Sequence, residues 1–395
     1  MELTRRPSEY RLPSYSLTSD LIGFLRCGLE YRYSRVGQLP SSRPVQMWFG
    51  QFIHGVLEEA YRRYDGSVKR GAPRLPPWPE SEVEGIRALV KQRLKAQGLF
   101  PWTKQLEHIG DARALSAVNE LGASLFPLIH RAEVRLTGSR PLPEIDKKYR
   151  YRVADRYEMV GVVDVITHVQ LGDAGHNGNG FLERVLKTIT PGSDTFELIL
   201  DYKGMRRPRS TDPRRRGPSL WDVYGWQVQT YAHLRSLQED ALPVAAGVVL
   251  YLNELHPNEE DLGLLKSDIR DGLTDVIPGP GSEAEKLLST WREGKPVPTL
   301  PLDFRLQRAI RVVEVSTVTI AQSLKEFDSV VAQIETARGK ELRSGRVIPS
   351  WEATGSDRAS CAACDARYFC HKSGKYRRPP QLPGVKPKPA TRRPS

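Results

Sequence analysis

The sequence predicts an α/β protein in which a strand-bearing core is decorated by helices. Three observations predict it. Helical spacing of apolar residues dominates up to residue 136. Strand-like alternation takes over from 147 to 202. A helix, one more apolar strand and a long helical stretch then follow. With 395 residues, 39% hydrophobic and 27% charged, the chain has material for a sizeable core, as one large domain with insertions or as two.

The elements follow in order. Over 14–36, Leu21, Phe24 and Leu25 recur at helical spacing behind the candidate caps Ser16 and Thr18. A second helix over 48–64 gathers Phe52, Ile53, Val56, Leu57, Ala60, Tyr61 and Tyr64 on one face. A Pro/Gly-rich connector spans 71–79, and 80–136 reads as mostly helical. Residues 147–153 and 158–170 alternate like strands, with a flexible Gly/Asn loop at 172–180. A third strand covers 197–202, a helix 220–236 and an apolar strand 245–253. A break at 278–282 precedes a long helical stretch over 303–343. The last 25 residues are Pro- and Lys/Arg-rich and read as disordered.

Charge is unevenly placed. The formal net charge is +12. Residues 371–395 carry eight basic residues and no acid, and 204–220 carry Arg206, Arg207, Arg209, Arg214, Arg215 and Arg216 against Asp212 alone. The rest of the chain is nearly neutral. Two basic appendages on a neutral body point to a polyanion, most simply nucleic acid, with Trp221 and Trp226 near the arginines as candidate stacking surfaces. The longest apolar run is nine residues, 244–252. A membrane-spanning helix needs about 20. The first sixteen residues contain no apolar stretch of the secretory kind, so a soluble cytoplasmic protein without a membrane partner is expected.

The chemistry concentrates in Leu198-Ile-Leu-Asp201-Tyr-Lys203. Side chains alternate along a strand, so Asp201 and Lys203 share a face, where a carboxylate holds Mg²⁺ and an ammonium orients water or offsets phosphate charge. Asp164 stands in a run of valines, where a lone carboxylate is costly without a partner or a metal. Two hard carboxylates suit Mg²⁺ or Mn²⁺. His54, one turn beyond Gly50, is a candidate third ligand, and Gln227 and Tyr231, also one turn apart, are candidates to face the same site. The four cysteines are Cys27 alone and the trio Cys361, Cys364 and Cys370. In a cytoplasmic protein they argue for a metal centre, a [4Fe–4S] cluster or Zn²⁺, with the uneven spacing favouring iron–sulfur.

In this order the motifs resemble a RecB-like member of the PD-(D/E)xK nuclease superfamily, specifically its iron–sulfur branch, which includes CRISPR-associated RecB-like nucleases and the AddB nuclease domain. The residues that carry the resemblance are Ser16-Leu-Thr-Ser with Cys27, Gly50-x3-His54, Gly161-x2-Asp164, Asp201-Tyr-Lys203, Gln227-x3-Tyr231 and the cysteine trio. The resemblance implies a restriction-endonuclease-like mixed sheet flanked by helices, with helical insertions. It implies His54, Asp164 and Asp201 as metal ligands, Lys203 as catalytic lysine, and Gln227 and Tyr231 in support. The activity implied is cleavage of DNA phosphodiester bonds with Mg²⁺ or Mn²⁺, on single strands or ends. Repair, CRISPR spacer acquisition and mobile-element defence are the settings it opens.

The organisation expected is N-terminal helices over 1–64, a helical insertion over 65–140, a nuclease core over 141–255, a helical region over 256–345, a cysteine segment over 346–371 and a basic tail over 372–395. No GxxxxGK[S/T] motif is present, so a helicase or integrase would be a separate partner. The alternatives are a catalytically inactive DNA-binding or adaptor protein on the same scaffold, and a restriction-type endonuclease. Retention of both carboxylates and the lysine weighs against the former.

Overall fold

The computed structural model describes residues 12–39, 45–152, 154–173, 176–211, 219–354 and 358–373. Strand β1 (Ser14–Ser16) leads into helical turns over 17–36 that contain α1 (Ile22–Arg26) and α2 (Gly28–Tyr31), interrupted at the extended Cys27. The expected helix therefore starts with a strand, because Tyr15 and its neighbours add to a sheet edge. Next come α3 (Val45–Lys69), α4 (Glu80–Ala96) and α5 (Lys104–Leu125), the last begun by Thr103, whose side chain accepts from the Leu106 amide.

Helical character does not continue to 136. Strand β2 (Ile129–Pro141) replaces it, with Ala132, Val134 and Leu136 turned inward between exposed Arg131, Glu133 and Arg135. Nor is 147–153 a strand where it is described: the Asp146 side chain accepts from the Lys148 amide and closes a single tight turn over Lys147–Tyr149. The next strands are β3 (Arg156–Thr167) and β4 (Val169–Gln170), and the expected loop ends early in α6 (Gly180–Leu186). Then come β5 (Thr195–Lys203), α7 (Leu220–Ser236), β6 (Val244–Tyr251), α8 (Glu259–Arg270), α9 (Glu283–Thr290) and α10 (Leu302–Ala309). The long helix expected from 303 is cut by β7 (Ile310–Glu314), where Ile, Val and Val pair with β6, and resumes as α11 (Thr317–Ser344).

The sheet runs β1-β3-β5-β6-β7, with β2 on the other edge of β3 and β4 on β5. Pairs β1/β3 and β5/β6 are parallel, and the rest antiparallel. This mixed sheet flanked by helices is the architecture expected. Its strands β2 and β7 come from the segments read as helical insertions. Helices α3, α4 and α5 cover one face, where Phe52, Ile53 and Leu125 meet Leu198 and Leu200. The N-terminal turns, α7 and α11 cover the other, around Tyr157, Met159, Ile199 and Phe327. Buried on both faces, β5 is apolar through Leu198, Ile199 and Leu200 before it reaches Asp201, and the buried Glu197 upstream pairs with Arg235. Among the described residues no helix is long and apolar enough to cross a membrane. Most of the basic tail lies outside the described residues.

Candidate active site

The site sits at a fork in the sheet. On one edge of β3, β1 pairs at 158–160 and β5 at 165–166. Between them residues 161–164 have no ladder partner on that edge among the described residues, and this is where Gly161 and Asp164 lie. Where β5 diverges, side chains replace the missing ladder bonds. Asp164 Oδ2 accepts from the Tyr202 amide at 2.6 Å, and His54 Nε2 lies 2.8 Å from the Tyr202 carbonyl oxygen. A carbonyl only accepts, so Nε2 carries the proton and Nδ1 keeps its lone pair, 3.7 Å from Asp164 Oδ2. Burial, aided by the Lys203 charge, holds the histidine below its ordinary value against the pull of Asp201, so the ring is neutral.

Asp201 and Lys203 share a face of β5, as alternation requires, with Nζ 2.5 Å from Asp201 Oδ2. Gln227 on α7 ties the group together. Its Nε2 donates to Asp201 Oδ1 and to the Tyr231 hydroxyl, each at 2.9 Å, and its Oε1 accepts from Lys203 Nζ at 3.0 Å. Lys203 also lies over the Tyr224 ring. Gly161 is required here: a Cβ would fall 2.6 Å from Tyr231 Cε1, so any side chain would push Tyr231 off the strand. A second close approach seats α3, because a Cβ on Gly204 would come 3.2 Å from Gly50 Cα.

The electrostatics are those of an anionic niche that Lys203 compensates only in part. Burial first, and then the Asp201 carboxylate, push the Asp164 carboxyl far above its usual range. Asp201 is 3% exposed, and among the described residues its Oδ2 has no hydrogen-bond partner despite the nearby ammonium. Glu133 was not among the expected site residues. It lies on β2 beside Asp164, and atoms of His54, Glu133 and Asp164 all lie within 4.8 Å of one another. Glu133 is exposed as a residue, yet desolvation of its carboxyl and the Asp164 charge raise it to about 7. Its φ of +53° is a left-handed conformation that a non-glycine residue adopts at a cost. Period-two apolar spacing around 132–136 was the available signal. Two or three carboxylates and a neutral imidazole nitrogen, short of compensating charge, fit a hard divalent cation. The structure thus joins His54 to Asp164, and Asp201 to Lys203, Gln227 and Tyr231, around one cleft of about 310 Å³. Asp201 stands outside the tight trio, whose third member is Glu133.

The arginine loop differs from expectation. Arg207 is 4% exposed, bridges to both Asp275 oxygens, and donates to the Arg308 and Ile310 carbonyls. It has no surface left for a phosphate. Arg206 and Arg209 both pair with Asp268. Arg214, Arg215 and Arg216 lie outside the described residues. Trp226 is buried and donates to the Ser323 carbonyl, and the Arg311 guanidinium covers Trp221 at 3.4 Å. The acids that occupy these arginines lie more than 50 residues away in sequence, beyond the reach of a local charge count.

The four cysteines are free thiols. Cys27 and Cys370 pack against the same core. Burial raises the Cys364 thiol, and Glu30, Cys27 and Cys370 are close enough to add to the rise. Among the described residues the cysteines form no ligand group as tight as the one at His54.

Residues 18–176 match the family model of the PD-(D/E)XK nuclease superfamily, a span that includes His54, Glu133 and Asp164 and ends before Asp201. The match supports that superfamily, whose nucleases use divalent metals. No curated protein matches the chain.

Proposed function

From the superfamily match and the forked site, we propose that this chain is a metal-dependent deoxyribonuclease that hydrolyses phosphodiester bonds on single strands or DNA ends. The observation that carries the reading is the buried, incompletely compensated pair Asp164 and Asp201 beside Lys203. Such a pair is destabilising unless a cation and a substrate use it. Asp164, Asp201 and His54, with Glu133, would hold Mg²⁺ or Mn²⁺, which supplies charge for the scissile phosphate and acidifies a water. The protein's own groups do the positioning. The Tyr202 backbone fixes Asp164 through its amide and His54 through its carbonyl. Gln227 holds Lys203 beside Asp201, so the ammonium presents its remaining protons to the cleft, where it orients water and offsets phosphate charge. Tyr231 anchors Gln227 in turn.

The cysteines support a [4Fe–4S] cluster on Cys27, Cys361, Cys364 and Cys370, with Zn²⁺ as the alternative. Such a centre would tie the N-terminal turns to the C-terminal segment and add stability by closing a long loop. Iron and sulfide analysis with visible absorption distinguishes the two: a colourless, zinc-loaded protein excludes the cluster.

The activity test uses end-labelled single- and double-stranded DNA with Mn²⁺ or Mg²⁺, with anaerobically purified wild type beside Lys203→Ala. Cleavage by wild type alone supports the nuclease and its site, and the product ladder reads polarity. Tight binding without cleavage by wild type would replace this reading with the adaptor.

A further inference from the structure

The cleft that holds Asp164 and Asp201 does not end at His54. A larger one, of about 500 Å³, is lined by the same histidine and by Glu133, so the two spaces share a wall. It is a groove between two helices. On α3 its lining stripe runs from Met47 through Gly50 and His54 to Glu58, at i, i+3, i+7 and i+11. On α4 the facing stripe runs from Val90 through Leu94 to Gln97. From His54 to Met47 the groove extends about 10 Å, at 1.5 Å per residue. A nucleotide whose phosphate sits at the metal site is therefore within its reach.

The groove does not suit a phosphate. Its acids are Glu58 and Glu133, close enough for Glu58 to add to the charge around Glu133. Arg93, the one cation among its described lining residues, pairs with Glu59 at 3.1 Å. It does suit a flat, uncharged ring. Met47, Val90 and Leu94 give it apolar walls, and the Gln51 and Gln97 amides carry donors and acceptors for ring nitrogens and carbonyls. Gly50 keeps it open. A glycine inside a helix costs stability relative to alanine, and a Cβ on Gly50 would meet no atom within 4 Å, so packing inside the protein does not call for it. We propose that this groove holds a nucleobase of the strand being cut, on a nucleotide next to the phosphate at the metal site. The proposal rests on the nuclease reading and adds a base contact to the phosphate contact.

The test compares wild type with three variants. Gly50→Phe fills the groove, Gly50→Ala leaves most of it open, and Met47→Ala removes a part of its wall that is 40% exposed. Binding of a fluorescent oligothymidylate is measured in Ca²⁺ beside an abasic oligomer of the same length, which has the same phosphates and no bases. Cleavage is measured in Mn²⁺. Gly50→Phe should bind oligothymidylate about ten-fold more weakly, the worth of about 55 Å² of lost apolar contact, with a matching rise in KM. Its affinity for the abasic oligomer and its thermal shift with Mn²⁺ should stay those of wild type. Met47→Ala should lose about two- to three-fold, again on the base-bearing oligomer alone. Gly50→Ala should melt at or above wild type. Equal weakening of both oligomers by Gly50→Phe overturns the proposal, because the site itself has then moved. So does unchanged binding of both, or a lower midpoint for Gly50→Ala, which would give the glycine to packing. Should Gly50→Phe not fold, Met47→Ala decides by the same comparison of oligomers. If wild type does not cleave, yet the preference for bases falls in the variants, the groove stands and the nuclease reading falls.

Discussion

Asp164→Asn should make the metal-free protein more stable and the metal-loaded protein relatively less so. The side chain is 12% exposed, and burial with the Asp201 carboxylate raises its carboxyl to about 8 from 3.8. The folded state therefore holds the proton more tightly than the unfolded chain. This group's contribution is fully present below 3.8 and is lost as pH rises toward 8. At pH 7 about three units of that rise are felt, and at about 1.4 kcal/mol each they amount to roughly 4 kcal/mol. Because a protein site relaxes around a buried charge, about 2 kcal/mol is the expected gain. Asparagine keeps an oxygen for the Tyr202 amide, so the fork itself survives. The assay is urea unfolding in chelator from about pH 5 to about pH 8, repeated with Mn²⁺. The advantage of the variant should widen with pH, and Mn²⁺ should stabilise wild type while leaving the variant little changed. A variant less stable than wild type at the alkaline end, or equal stabilisation of both by Mn²⁺, would refute the reasoning.

Other predictions address single features. Lys203→Ala removes the cation beside an almost fully buried carboxylate, and should cost roughly 3 kcal/mol in chelator, with Mn²⁺ restoring part of it in thermal melts. Glu133→Gly relieves a left-handed backbone and a like charge; it should gain about 1 kcal/mol in chelator while weakening Mn²⁺ affinity by calorimetry. Gly161→Ala should cost about 1–3 kcal/mol by overpacking against Tyr231, and lower kcat by displacing Gln227. Arg207→Met breaks a buried pair with Asp275 and should cost about 3 kcal/mol, yet leave the salt dependence of DNA binding unchanged, which separates a structural arginine from a DNA contact.

The sequence by itself determined the parts whose signal is local. Alternation placed Asp201 and Lys203 on one face of β5. Helical spacing set His54 on α3, and Gln227 one turn before Tyr231. An aspartate among valines marked Asp164, because an unpaired carboxylate is costly in an apolar strand. What the sequence left to the tertiary structure depends on pairing between distant segments. The period-two spacing of β2 covers only 132–136, too short to outweigh the helical pattern before it; β2 becomes a strand by lying along β3, and that pairing brings Glu133 beside Asp164. β7 interrupts a helical pattern because the edge of β6 offers it a ladder. Arg206, Arg207 and Arg209 look like a free basic loop until Asp268 and Asp275 fold against them, since charge pairing depends on distance in space and not on composition. The fork is likewise tertiary: two strands share one edge of β3, and where β5 leaves that edge the Tyr202 amide and carbonyl are met by the Asp164 and His54 side chains of the site.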